Sequence, residues 1–140
     1  MEPRVSIITL GVDDLDRASA FYAAMGLERH TKFTDGVAFY QMGAIILALW
    51  PREDLAKDAG LDPARLRGSA VAVAYNTRTA EEVASALAQA EAAGGSILKP
   101  AQKADWGGVQ GYFQDTEGNL WEVAWNPDFP IASDGRISLP

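Results

Sequence analysis

Apolar and polar positions follow an order along the chain that names most of its elements. Residues 4–10 (RVSIITL) are short and β-branched, which predicts a strand. Asp13 or Asp14 then caps a helix running to about Met25, with Leu15, Ala18, Tyr22 and Met25 on one apolar face. Gly26 ends it, and strands are expected over 27–33, 37–42 and 44–50, with Asp35-Gly36 as a hairpin turn. Residues 51–67 are charged and carry Leu55, Leu61 and Leu66 at loosely helical spacing, which predicts a surface linker with one or two helical turns. The order then returns. A strand over 69–75 is followed by Thr79 and Glu82, spaced as a capping box, and a helix to about Ala93 with Val83, Ala84, Leu87 and Ala90 on one face. Strands are expected over 96–99, 109–114 and 120–125, with a tight turn over 115–119 and a tail beyond.

This is a duplication with a period of roughly 65 to 70 residues. Gly36-Val37 and Gly108-Val109 each open the penultimate strand of a half, Tyr40 and Tyr112 follow at equal spacing, and Trp50 and Trp125 end the last strands. One helix leaves a face of a four-stranded sheet bare, so two halves are expected to combine. The fold class expected is α+β: paired βαβββ modules forming one curved mixed sheet, a half-barrel with a concave ligand cleft. The chain is expected to be a single domain over 1–140, with modules at 4–50 and 68–126, the linker at 51–67 and the tail at 127–140. The tail carries Pro127, Phe129, Pro130, Ile131 and Leu139, and is expected to lie along the body or a partner subunit.

Composition narrows the chemistry. The absence of cysteine removes thiolate nucleophiles, disulfides and Cys-type metal sites. A net charge of −7 with no basic cluster argues against nucleic acid and against an anionic membrane surface. The longest apolar stretch, 44–50, is too short to span a bilayer. No secretion signal is read at the N-terminus, and a cytoplasmic location is expected. Gly107 to Gly111 reads GGVQG, without a phosphate-loop lysine or a dinucleotide fingerprint, so no nucleotide cofactor is implied.

Three features resemble the vicinal oxygen chelate superfamily, which includes glyoxalase I, bleomycin-resistance proteins and extradiol dioxygenases. They are the duplicated βαβββ order, the opening Gly11-Val12-Asp13-Asp14-Leu15 with Phe21-Tyr22 and Met25-Gly26-Leu27, and the stretch FQDTEGNLWEV at 113–123. The last is similar to the family's D-P-D-G-x-x-x-E hairpin, with Thr116-Glu117 in place of Pro-Asp. In metal-dependent members, His and Glu from the first and last strands of each half hold a divalent ion that chelates two substrate oxygens. Carried over by position, the resemblance puts the final Glu on Glu122, its mate near Leu47, and the first-strand positions near Ile7 and on Ser69 or Ala70. Only Glu122 could ligate, whereas such sites usually supply three protein ligands. The lone histidine, His30, falls on a different strand beside Arg29 and Lys32 and reads as a surface residue.

The ligand-binding residues expected are therefore Ile7, Thr9, Leu47, Ser69, Val71, Trp106, Gln110, Tyr112 and Glu122, with Glu122 as the catalytic candidate and no metal or other cofactor. Ala124 joins the apolar inward positions, and Lys99 is a further polar candidate. Trp106 with Gly107-Gly108 reads either as a mobile lid or as a rim contact. Trp50, Trp121 and Trp125 read as core or interface aromatics, and Tyr40 and Tyr112 as shared packing. The function expected is binding of an apolar or aromatic small molecule by a homodimer. The alternative is a lyase, isomerase or dioxygenase of the same superfamily, using Glu122 as metal ligand or general base.

Overall fold

The computed structural model describes residues 6–32, 34–66 and 71–138. The chain divides into two compact units, Met1–Ala70 and Val71–Pro140.

The first unit contains β1 (Ile7–Val12), α1 (Leu15–Ala24), β2 (Ala38–Met42), β3 (Ile45–Pro51) and α2 (Arg52–Ala59), then a 3₁₀ turn at Pro63–Leu66. Asp14 caps α1, its side chain accepting from the Arg17 amide at 2.9 Å. The three strands lie in the order β1-β3-β2. Leu10 pairs with Leu49 and Tyr40 with Leu47, so these side chains share one face. That face carries the core: Tyr22 of α1 meets Tyr40 at 5.9 Å between ring centroids, and Phe21 sits edge-on to Tyr22. The expected strand over 27–33 does not form. Arg29 makes a single bridge to Tyr40, and its guanidinium instead bonds the carbonyls of Thr34 and Val37. Leu-Glu-Arg-His-Thr-Lys offers neither face an apolar row, so nothing anchors a ladder there. Phe33 lies outside the described residues.

Within the expected linker, Arg52–Ala59 is a two-turn helix closed by Gly60 at φ +68°, a left-handed conformation that glycine adopts without strain. Its first residue, Arg52, is buried, donating to Asp13 Oδ1 at 2.9 Å and to the Leu66 carbonyl at 3.1 Å.

The second unit runs β4 (Ala72–Asn76), α3 (Glu81–Ala92), β5 (Ser96–Lys103), β6 (Val109–Gln114) and β7 (Leu120–Trp125). Its sheet order is β4-β7-β6-β5. Half of the expected capping box forms: Glu82 accepts from the Thr79 and Arg78 amides, while no side chain caps the helix in return. Strand β5 continues through Pro100, where 96–99 was expected to end. It is an edge strand, so the missing N–H costs no ladder bond, and register shifts flank Lys99. Val83, Leu87 and Ala90 of α3 are buried, as are Phe113, Trp121 and Val123 of the sheet. Phe113 and Trp121 stack with centroids 6.0 Å apart. Beyond β7 the tail folds back within this unit: Ile131 bridges Ile137, and the Arg78 guanidinium donates to the Ile131 and Ala132 carbonyls.

The expected architecture of the sheet is overturned as well. Among the described residues the strands do not form one curved half-barrel sheet: they lie in two sheets, of three and four strands, neither curled nor closed on itself. The local pattern of each strand names its neighbours within a module and is silent on anything beyond it.

Candidate functional site

The best-defined polar cluster lies on the second sheet, on the face turned away from α3. The side of α3 is fixed by Gly111, where an added Cβ would stand 2.5 Å from Leu87 Cδ1. Gly111 pairs with Val123 and Phe113 with Trp121, so the helix covers those residues. By alternation, Gln110, Tyr112 and Gln114 of β6 and Leu120, Glu122 and Ala124 of β7 point the other way. Ala74 of β4 is the neighbour of Glu122, and Lys99 of β5 the neighbour of Tyr112, so both join this face.

The β6–β7 turn sets that register. Asp115 is buried, and its Oδ1 accepts from the Glu117 and Asn119 amides at 2.9 and 2.8 Å, while Oδ2 accepts from the Asn119 side chain at 2.8 Å. Gly118, at φ +80°, completes the turn. Thr116-Glu117 fits this turn because the bonds come from Asp115 and from backbone amides. The consequence is that Tyr112 stands directly opposite Glu122.

Tyr112 donates its phenolic hydrogen to the Glu122 carboxylate. The Gln110 amide bridges two charges: its nitrogen donates to Glu122 Oε1 at 3.1 Å, and its oxygen accepts from Lys99 Nζ at 3.1 Å. A carboxylate only accepts and an ammonium only donates, which fixes the amide's orientation. The Lys99 ammonium also lies 5.8 Å from the centroid of the Tyr112 ring. Burial first, then the Glu122 charge and the bond to it, push the Tyr112 hydroxyl above the ordinary phenol value. Tyr112 is therefore expected to ionise at higher pH than free tyrosine, and Glu122→Gln to bring its midpoint down, as read from ring shifts in labelled tyrosine. A raised folded-state value contributes stability in full below about pH 10, lost as pH rises through the folded value. An unchanged midpoint in the variant would remove Glu122 as a cause.

The other expected residues fall elsewhere. Ile7 and Thr9 are exposed on β1, and their partners are Ile46 and Ala48. Leu47 has the opposite parity: it is 2% exposed and shares the α1 face with Tyr40, so it is a core residue of the first unit. Tyr40 and Tyr112 are not equivalent either, since Tyr40 lies in the core and Tyr112 on the face away from its helix. Val71 precedes β4 and is exposed, and Ser69 lies outside the described residues. Trp106 is half-exposed, yet its ring lies so close over Gly108 that no side chain fits there. The Ala104 and Gly108 backbones bond at 3.0 Å beneath it, so the loop is a tight connection. His30 is exposed, and its Nδ1 accepts from the Lys32 amide.

Among the described residues, no three His, Cys, Asp or Glu side chains gather where they could hold a metal ion. The groups around Glu122 are an amide N–H, a phenol O–H and an ammonium, which donate hydrogens and do not ligate a cation. The donor set does not fit the metal that the fold family implies. Among the described residues, no helix is long and apolar enough to cross a membrane.

The sequence signature of the Glyoxalase/Bleomycin resistance protein/Dioxygenase superfamily matches residues 4–123. The chain belongs to this superfamily. A glyoxalase-related enzyme from Fulvimarina pelagi is 36% identical, with a TM-score of 0.91 and 98% of each chain covered. Lactoylglutathione lyase from Agrobacterium tumefaciens is 26% identical, with a TM-score of 0.68, covering 90% of this chain and 96% of its own. A glyoxalase/bleomycin resistance protein/dioxygenase from Nocardioides is 25% identical, with a TM-score of 0.73, covering 89% of this chain and 84% of its own. No curated protein matches significantly.

Proposed function

We propose that this superfamily member binds a small apolar or aromatic molecule on the far face of its second sheet, with Glu122 as the polar anchor and without metal chelation. The observation that carries the reading is the carboxylate held by Tyr112 and Gln110 while half-exposed, with Ala74 and Leu120 beside it as apolar floor. A few placed polar groups on an apolar surface are what a small ligand requires. Among the expected ligand contacts, Gln110, Tyr112 and Glu122 are the three this reading retains. We further take the protein to be a cytoplasmic homodimer that does not bind nucleic acid. The net charge of −7 supports the last point, and family resemblance supports dimerisation.

The test combines two measurements. Equilibrium dialysis against Mn, Fe, Co, Ni and Zn is expected to leave the chain without stoichiometric metal. A fragment screen by protein NMR is expected to find aromatic molecules that shift Tyr112, Gln110 and Ala124 signals, with the shifts weakened in Glu122→Leu. One tightly held metal per chain, lost on that substitution, would overturn the reading. A second reading draws on the similarity to the Fulvimarina pelagi enzyme: Glu122 taking a proton next to a carbonyl. Turnover of a dicarbonyl or hemithioacetal that Glu122→Gln abolishes would establish it.

A further inference from the structure

We propose that Lys99 and Glu122 form a charge-separated recognition pair for a small zwitterion, an α-amino acid with an apolar or aromatic side chain. This rests on the reading that the far face of the second sheet binds a small molecule. Lys99 on β5 and Glu122 on β7 are separated by β6, and they do not pair with each other. The Gln110 amide stands between them, giving its N–H to the carboxylate and its oxygen to the ammonium, each at 3.1 Å. Neither charge has an ion-pair partner among the described residues.

Each group keeps capacity for a ligand. An ammonium has three hydrogens, of which Gln110 takes one; a carboxylate has about four lone-pair sites, of which Gln110 and Tyr112 take two. What remains is a donor cation and an acceptor anion on one face, a single amide apart. An α-amino acid presents the complement: a carboxylate for Lys99 and an ammonium for Glu122, a few bonds apart. A ligand with only one of these charges would leave the other protein charge partly desolvated and unanswered. Ala74 and Leu120, adjacent to Glu122 on the same face, offer the apolar surface for the side chain. The Tyr112 ring is stacked by Lys99, so it positions the ammonium and leaves the apolar contact to those residues.

The test uses three probes of one shape on the intact chain: L-phenylalanine, 3-phenylpropionate, which lacks the ammonium, and phenethylamine, which lacks the carboxylate. Dissociation constants come from NMR titration of Tyr112 and Ala124 signals. Phenylalanine is expected to bind roughly tenfold or more tighter than either single-charge probe, the scale of one charge-assisted hydrogen bond. Lys99→Met is expected to erase its advantage over phenethylamine, and Glu122→Gln its advantage over 3-phenylpropionate. Equal binding of all three to the wild-type chain overturns the zwitterion proposal while leaving the binding face intact. Failure of all three to shift these signals overturns the proposal, and failure of the wider fragment screen as well overturns the reading beneath it. The wild-type comparison holds whether or not a variant folds.

Discussion

Replacing Trp121 with alanine is expected to lower the unfolding free energy by about 3–5 kcal/mol, the range for emptying a large aromatic site in a packed core. Trp121 is 5% exposed and stacks on Phe113 with the two ring planes 7° apart. Phe113 lies beside it on β6, so the cavity opens at the centre of the second unit's core. The lost stacking adds to the lost burial, because offset parallel rings contribute about 0.5–1.5 kcal/mol beyond their area. Urea unfolding followed by far-ultraviolet circular dichroism measures the change without relying on the deleted fluorophore. A loss under about 1 kcal/mol would mean that the stack is not a core contact.

Gly111→Ala is expected to cost about 1–3 kcal/mol and to disturb the polar cluster as well. The new Cβ would lie 2.5 Å from Leu87 Cδ1, 2.8 Å from the Lys99 carbonyl oxygen and 3.2 Å from the Ala101 nitrogen. The leucine methyl can swing aside, but the Lys99 and Ala101 backbone cannot move without shifting β5. That shift carries Lys99 away from Gln110 and Tyr112. The double variant Leu87→Ala/Gly111→Ala separates the two contacts. If the backbone contact dominates, the Tyr112 ring signals stay displaced in the double variant. A return to wild-type shifts and a wild-type urea midpoint for Gly111→Ala would show that β5 tolerates the methyl.

Much of the second unit was legible from the chain alone. The bounds of β6 and β7 follow from alternation around the Asp115–Gly118 turn, and this hairpin motif picked out Glu122. The same strands placed Gln110 and Tyr112 among the candidates. Parity was harder to read in the first unit. Residues 44–50 are apolar without interruption, so no alternation says which side chains face α1, and a one-residue slip exchanges the faces. The family resemblance puts the mate of Glu122 near Leu47, and nothing in this run corrects the parity, whereas Ile46 and Ala48 have the parity of Ile7 and Thr9. The matched spacing of Tyr40 and Tyr112 hid the same slip. Arg52 left no signal, because a charged residue after a strand ordinarily reads as solvated. Its burial depends on Asp13 and the Leu66 carbonyl, which sequence distance does not join. The place of Lys99 in the cluster left no signal for a related reason: its partner amide lies on the neighbouring strand, and a register shift sets their approach.

Pro100 has a consequence for the border of the second sheet. Strand β5 ends the sheet on one side, and there the proline removes a backbone donor while the shifts beside Lys99 break the spacing of the rest. An added strand would find no regular row of N–H and C=O groups to match. A second chain that extends this sheet by backbone pairing, whether in an assembly or in an aggregate, meets at β5 a margin ill-suited to growth.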